Sequence, residues 1–244
     1  MMPNSLTKIL QCLVALALPL VLLLGNVQLL MHERFVHYEY GRSSFPADTA
    51  IPPDGYPLSK AERTALAEQA LASILGPRGM QVLEEARFRE LDAPAFNARE
   101  IRHMRDVRQV FNGARVIFWV ALGILGVEGV LLGWKRWDAL LNAVLVSVTV
   151  TLALALSLGL YISISFASFF TRFHHIFFEG STWLFYRDDT LIRLFPTQFW
   201  FDAAVIIAGL TVIELLALGA AAWWWRKKKV LQVRPDLQDL GGSD

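Results

Sequence analysis

The sequence predicts an all-α membrane protein with four transmembrane helices and a small, mainly helical extracytoplasmic layer. Of its 244 residues, 55% are hydrophobic, and the mean hydropathy is +0.41, values that soluble domains rarely reach. The apolar residues are concentrated in four stretches, each near or above the ~20 residues needed to cross a bilayer. These stretches are residues 9–31, 116–134, 139–168 and 203–225.

Basic residues beside these stretches predict the orientation of the chain. Lys8 precedes the first stretch, Lys135 and Arg136 separate the second from the third, and residues 226–229 form a basic run after the fourth. Short segments rich in Lys and Arg remain in the cytoplasm, so we expect both termini to be cytoplasmic. The first stretch is longer than a signal-peptide core and lacks a small-residue cleavage motif, which indicates a retained helix.

The chain is therefore predicted to have six segments, two of them outside the cell membrane. In order they are the N-terminal segment with the first helix (1–31), an extracytoplasmic helical segment (32–115), the second and third helices with a short cytoplasmic loop (116–168), an interfacial extracytoplasmic segment (169–202), the fourth helix (203–225) and a cytoplasmic tail (226–244).

The charge and cysteine content exclude several classes of function. The net charge is +1 and no basic stripe or nucleic-acid motif is present, so we expect no nucleic-acid partner. Cys12 is the only cysteine and falls within the first helix, which rules out an intrachain disulfide and a thiolate metal cluster. No feature of the sequence defines an oligomeric state.

Residues 41–57 are rich in Pro, Gly, Ser and Asp and predict a loop across the outer surface. Ser59 begins a helix, because Glu62 three residues later completes a capping box, and Gly76 ends it. We expect the buried stripe of this helix to be formed by Leu66, Ala70, Leu71 and Ile74.

A second outer helix begins at Asn97 and carries the first candidate site. Glu100 lies three residues later, which is the spacing of a capping box. We expect this helix to end at Asn112–Gly113, before the second transmembrane helix. Both Glu100 and His103 fall within its apolar arc. A hydrophobic staple at its start is formed by Phe96 and Ile101.

His103 has a carboxylate, Asp106, three residues later. This spacing lets a carboxylate hold an imidazole in one tautomer and stabilise its protonated form, which is the arrangement of an oriented general base. The alternative is that His103 is a histidine of the core and that Glu100 only caps the helix, since capping boxes are common.

The second candidate site follows the third transmembrane stretch, where His174 and His175 lie among many aromatic residues. That aromatic density is typical of a membrane–water interface, so the site would meet lipid headgroups and glyceryl esters. An interfacial histidine is also often a simple anchor, and we favour that interpretation for His175. Asp188, Asp189 and Thr190 predict the start of a short helix that ends near Pro196.

Glu128 and Glu214 fall within the predicted second and fourth transmembrane helices, at similar depth. An ionisable residue in a membrane span is a candidate for function by default. We favour a structural role, with a protonated carboxyl group bonded to Thr149, Thr151 or another Glu, because the candidate site residues lie near the outer face.

Two blocks of the sequence resemble a known family. The first is FNAREIRHMRDVRQV, and the second is RFHHIFF followed by Trp183 and DTLIRLFP. In this combination the chain resembles the bacterial four-helix membrane family that includes the lipoprotein intramolecular transacylase. The resemblance covers most of residues 8–225, and its specificity comes from residues 96–110 and 173–202.

The resemblance implies a transfer of the sn-2 acyl chain from the diacylglyceryl group on a lipoprotein's N-terminal cysteine to the α-amine of that cysteine. The product is a lyso-form lipoprotein. The substrate would be a diacylated bacterial lipoprotein embedded in membrane lipid, and the transfer would need no cofactor or metal. The family pattern E-x-x-H-x-x-D maps onto Glu100, His103 and Asp106, and the pattern F-H-x-I-F-F places His174, not His175, at the second histidine.

We interpret His103, oriented by Asp106, and His174 as the acid/base pair of this reaction. Such groups must reach one substrate, so we expect the two imidazoles to lie within roughly 10 Å. Glu100 would fix the start of the helix or contact the substrate amine. Supporting or substrate-binding positions are assigned to Trp183 and Asp189.

Two other classes of function remain open from the residues alone. Glu100, His103 and His174 could bind Zn²⁺ and activate water, which would give a metal-dependent membrane hydrolase, although no H-E-x-x-H motif is present. A non-enzymatic sensor or assembly protein is the other alternative. It predicts that replacement of either histidine leaves function intact.

Overall fold

The computed structural model of the chain describes residues 3–48 and 56–233, which divide into two compact units. The described residues form helices joined by turns and longer irregular segments. In chain order the helices are α1 (Asn4–Leu30), α2 (Glu33–Gly41), α3 (Lys60–Leu75), α4 (Gln81–Glu84), α5 (Ala98–Lys135), α6 (Trp137–Ile164), α7 (Phe166–Phe177), α8 (Thr190–Leu194) and α9 (Thr197–Val233).

Four helices of the described chain are long and apolar enough to cross a membrane: α1, α5, α6 and, up to Lys229, α9. The predicted all-α architecture with four transmembrane helices is confirmed. Part of the predicted outer loop, residues 49–55, and most of the predicted cytoplasmic tail, residues 234–244, lie outside the described residues.

One unit holds the apolar parts of the four long helices. It comprises the residues up to Gly25, Ile117–Gly159 and the residues from Ala208 onwards. Polar contacts hold its helices together: Gln11 Nε2 donates to the carbonyl oxygen of Ala139 at 2.9 Å, and Lys229 Nζ pairs with Asp138 at 2.9 Å. Its core cluster is formed by Leu10, Val14, Leu132 and Ala143.

Glu128 is buried in this unit, but the partners that we expected for it are absent. It is 2% exposed, and neither carboxyl oxygen has a hydrogen-bond partner among the described residues. The expected bond to Thr149, Thr151 or another Glu is therefore wrong. Thr149 Oγ1 instead donates to the carbonyl oxygen of Leu145 at 2.9 Å, because a helical Thr can satisfy its hydroxyl within its own helix.

The other unit comprises Asn26–Val116 and Leu160–Ile207 and has its own hydrophobic core. Helix α3 begins as predicted, since Ser59 Oγ accepts the Glu62 N–H at 3.2 Å. The Glu62 carboxylate does not return to Ser59. It accepts from the Arg89 N–H and the Tyr56 hydroxyl instead. The predicted stripe is confirmed, because all four residues are buried: Leu66, Ala70, Leu71 and Ile74.

Helix α5 runs without a break from Ala98 to Lys135, so the predicted helix end at Asn112–Gly113 is wrong. A single glycine costs a helix only about 1 kcal/mol relative to Ala, and no proline follows that would remove a backbone hydrogen bond. Arginines and carboxylates occur throughout residues 98–115, whereas residues 116–134 carry one ionisable side chain, Glu128.

The third predicted transmembrane stretch, residues 139–168, is divided in the structure. Helix α6 ends at Ile164, and α7 begins at Phe166 after the non-helical residue Ser165 (φ −152°, ψ 81°). The sequence analysis did not predict α7 as a helix. Its phenylalanines recur at helical spacing, which is the pattern that would have identified it: Phe166, Phe169, Phe170, Phe173 and Phe177.

Candidate active site

The start of α5 is fixed by the predicted capping box. Asn97 Oδ1 accepts the N–H groups of Arg99 at 3.0 Å and of Glu100 at 3.1 Å. In return, Glu100 Oε2 accepts the Asn97 N–H at 2.8 Å. These reciprocal bonds satisfy donors that every helix start leaves free, and they order the turn that precedes His103.

Glu100 also joins α5 to α8. Its second oxygen, Oε1, accepts the Leu191 N–H in the first turn of α8 at 2.7 Å. The side chain is only 1% exposed, and burial raises the pKa of Glu100 to about 7, although the backbone N–H groups of Asn97 and Leu191 oppose that rise. Both oxygens are engaged, so the geometry favours Glu100 as a residue that fixes the helix start.

Asp189, which directly precedes α8, also contacts the start of α5. Its carboxylate pairs with Arg99 and accepts the Asn97 side-chain amide at 2.7 Å and the Tyr186 N–H at 2.6 Å. Thr190 Oγ1 donates to the carbonyl oxygen of Ala95 at 2.5 Å. Asp189 therefore organises the loop before α8. The sequence analysis did not identify its Arg99 partner, because no local spacing links residues so far apart.

His174 lies on α7 with one ring nitrogen fixed. Its Nδ1 is 2.7 Å from the carbonyl oxygen of Phe170, one turn earlier. A carbonyl oxygen can only accept, so Nδ1 carries the hydrogen and, in the neutral ring, Nε2 is a hydrogen-bond acceptor. Burial lowers the pKa of His174 below its ordinary value, partly offset by the bond to Phe170. His174 is thus presented as a neutral base.

The structure brings His103 next to His174. Their ring centroids are 6.2 Å apart and the ring planes differ by 19°, which confirms the expected proximity. His103 is 7% exposed, and burial, with a smaller effect from the neighbouring charge of His174, lowers the pKa of His103 to about 4. Both rings are therefore neutral near pH 7 and do not repel one another.

Asp106 does not orient His103, which corrects the sequence-based interpretation. Within the part of the chain that the structure describes, His103 Nδ1 is buried with no hydrogen-bond partner. The imidazole is instead held by ring contacts, at 4.9 Å from Phe178 and 5.2 Å from Phe185.

Trp183 completes the aromatic surroundings of the two imidazoles. Its ring centroid is 4.9 Å from that of His174, and its side chain is 8% exposed. The ring of His175 meets this indole edge-on, with the ring centroids 5.1 Å apart, but its own side chain is exposed. The structure therefore separates the adjacent histidines as expected, since His174 faces His103 and His175 faces outward.

A pocket of about 360 Å³ lies in the same unit, but it is not the site of the paired imidazoles. Neither histidine lines it. Its walls are formed by the Glu100 side of α5 and by the loop before α8, and its polar lining includes Asn97, Glu100, Asp188, Asp189 and Arg193. The paired imidazoles therefore lie in the aromatic cluster and not in this pocket.

The Zn²⁺ alternative is not supported by the arrangement of its three proposed ligands. Among the described residues, no group of three or more His, Cys, Asp or Glu side chains could hold a metal ion. Glu100 directs its two oxygens to backbone N–H groups. Glu100, His103 and His174 thus do not converge as a ligand set.

Fold and site together define a multi-pass membrane protein with a pair of neutral imidazoles in an aromatic setting. A model of the family described as lipoprotein intramolecular transacylase Lit matches residues 12–200. The chain belongs to this family and is a membrane acyltransferase.

The similar proteins are consistent with this assignment. An uncharacterized protein of Aquifex aeolicus (strain VF5) is 27% identical over 205 residues, which cover 82% of this chain and 87% of the relative. The lipoprotein intramolecular transacylase Lit of Bacillus cereus, solved in meso, matches with a TM-score of 0.67 at 16% identity, covering 94% of this chain and 100% of that one. A variant of that protein with one histidine changed to arginine matches with a TM-score of 0.55 at 17% identity, covering 94% of this chain and 96% of that one. These likenesses show a shared fold.

Proposed function

We propose that this chain moves the sn-2 acyl chain of a diacylglyceryl-cysteine to the α-amine of the same cysteine, at the extracytoplasmic face of a bacterial membrane, by acid/base catalysis at His103 and His174. The observation that carries the proposal is the 6.2 Å separation of two neutral imidazoles, the buried His103 and the half-buried His174. The substrate class is the diacylated lipoproteins, and the glyceryl ester reaches the site from the surrounding lipid.

His174 is the initial base in this proposal. The Phe170 carbonyl fixes its Nδ1 hydrogen, so Nε2 is the nitrogen that can accept a proton. The unprotonated α-amine attacks the ester carbonyl carbon, a C–N bond forms and the carbonyl π electrons move to oxygen. Nε2 of His174 then takes the proton that the nitrogen must lose.

His103 relays the proton that the leaving group needs. When the tetrahedral intermediate collapses, the C–O bond to the glyceryl group breaks, and protonated His174 passes its proton to one nitrogen of His103 as the other nitrogen of His103 gives a proton to the departing oxygen. Both rings are then neutral again. The products are an amide and a free glyceryl hydroxyl, so atoms and protons balance with no external acyl donor.

The aromatic surroundings of the site favour transfer over hydrolysis. Phe178 and Phe185 cover His103, and Trp183 covers His174, which keeps bulk water away from the reacting carbonyl. Amine and ester belong to one molecule, so holding them in contact can supply up to ~7–11 kcal/mol of the barrier. This is why a pair of weak bases suffices.

The proposal is tested with purified protein and a synthetic diacylated lipopeptide, with the N-terminal peptide and any released fatty acid measured by mass spectrometry. We expect an N-acyl, lyso-form product of unchanged total mass and no stoichiometric free fatty acid. Release of free fatty acid that a chelator abolishes would instead identify a metal-dependent hydrolase. An unmodified lipopeptide would favour the non-enzymatic alternative.

A further inference from the structure

The indole N–H of Trp183 is a buried hydrogen-bond donor without an acceptor. Trp183 is 8% exposed, and its Nε1 has no hydrogen-bond partner in the part of the chain that the structure describes. Indole can donate but cannot accept, so the group needs an acceptor to be satisfied. A buried donor left unpaired is costly and requires an explanation.

The position of this donor indicates its acceptor. Trp183 lies 4.9 Å from His174, which in turn lies 6.2 Å from His103, so the indole borders the space that both imidazoles reach. His103 Nδ1 is also unpaired and buried. A cluster that is otherwise aromatic therefore contains three rings with polar atoms: His103, His174 and Trp183.

We infer that Trp183 is a catalytic residue whose Nε1–H donates a hydrogen bond to the carbonyl oxygen of the migrating acyl group. This inference rests on the proposed function. As the amine nitrogen bonds to the carbonyl carbon, the π electrons move onto that oxygen, and the indole hydrogen stabilises the negative charge until the C–O bond to the glyceryl group breaks. Neither electrons nor protons are gained or lost by Trp183.

The surroundings strengthen such a bond in the transition state. A fixed donor in a water-excluded, aromatic site acts on a developing oxyanion more strongly than on a neutral ester carbonyl. Loss of this hydrogen bond should therefore change kcat much more than KM. Loss of one donor of this kind typically lowers kcat by about 10²- to 10³-fold.

The sharpest test replaces Trp183 with β-(3-benzothienyl)alanine, which keeps the ring shape but exchanges the N–H for sulfur. With a diacylated lipopeptide in detergent, we expect kcat for lyso-form production to fall at least about 10²-fold. We expect KM to change by less than about threefold and the melting temperature to be retained. Trp183→Phe is the second variant and should show the same division between kcat and KM.

Trp200 offers a matched control. Its Nε1 already donates to the carbonyl oxygen of Phe195 at 3.1 Å, so the same replacement at Trp200 should leave kcat unchanged. His175→Ala removes the edge-on ring beside Trp183 and should also leave kcat near that of the parent. If the indole hydrogen served only that ring, His175→Ala and the Trp183 replacement would have equal effects, which would overturn the inference.

The outcomes separate this inference from the proposed function. A parent protein that produces no N-acyl lipopeptide contradicts the proposed function itself. An active parent whose Trp183 benzothienyl variant keeps kcat within about threefold contradicts only the role of Trp183. A fall in melting temperature with unchanged kcat would likewise identify a residue that serves packing alone.

Discussion

Glu100 and His103 should make opposite contributions to the pH dependence of stability. Burial raises the pKa of Glu100 from 4.5 to about 7 and lowers that of His103 from 6.5 to about 4. The folded state thus binds more protons at Glu100 than the unfolded state does, and fewer at His103. The contribution of Glu100 is fully present below pH 4.5 and is lost as the pH rises through about 7, whereas that of His103 is lost as the pH falls through about 4.

The size of each contribution follows from the pKa differences. One pKa unit corresponds to ~1.36 kcal/mol, so a pKa difference of about 2.5 between the folded and unfolded states gives roughly 3 kcal/mol for either residue. For a chain of this length, ~1 kcal/mol changes the melting temperature by ~2–4 °C. Removal of one contribution should therefore shift the melting temperature by about 6–12 °C across its pH range, and the two shifts should have opposite signs.

The assay is thermal unfolding in detergent from pH 4 to 8, comparing the parent with Glu100→Gln and with His103→Asn. The melting temperature of the parent relative to Glu100→Gln should fall as the pH rises from 4.5 to 7. Relative to His103→Asn it should rise between pH 4 and 6.5. Subtracting the melting temperature of each variant from that of the parent at the same pH cancels the pH dependence that parent and variant share. The burial argument for these residues would be refuted if both differences in melting temperature were independent of pH, or if both changed with pH in the same direction.

Two further predictions concern α5. Asp106→Asn should leave lyso-form production within about threefold of the parent, because His103 Nδ1 has no bond to Asp106; a loss near the 10²-fold typical of a general-base role would restore Asp106 as its orienting partner. Gly113→Ala should raise the melting temperature by ~1–4 °C, because an added Cβ meets no atom within 4 Å and Ala favours a helix by ~0.5–1 kcal/mol. A lower melting temperature would indicate that the helix is interrupted at that position.

Much of the candidate site was predictable from the sequence because its causes are local or topological. Hydropathy defines the four long helices, and the orientation rule assigns His103 and His174 to one face of the membrane. The capping box from Asn97 to Glu100 is set by residues within one turn. A family resemblance then distinguished His174 from His175, and the structure separates those two by exposure.

Other features depended on interactions that no local pattern contains. The side-chain direction of His103 is set by rings contributed by a distant segment, so the spacing to Asp106 misled the interpretation. Likewise, the second bond of Glu100 goes to Leu191, 91 positions along the chain. The Asn112–Gly113 pair reads as a helix end, but the cost of one glycine is smaller than the gain from continuing a long helix.

The most direct test of the paired-imidazole mechanism is a double-mutant cycle on His103 and His174. Lyso-form production from a diacylated lipopeptide is measured for His103→Ala, His174→Ala and the double variant, with His175→Ala as control. Groups that act as a unit are strongly non-additive, so we expect each single variant to lose nearly all activity and the double variant to be hardly worse. Losses that simply multiply, or near-parent activity for His174→Ala, would contradict the shared acid/base site.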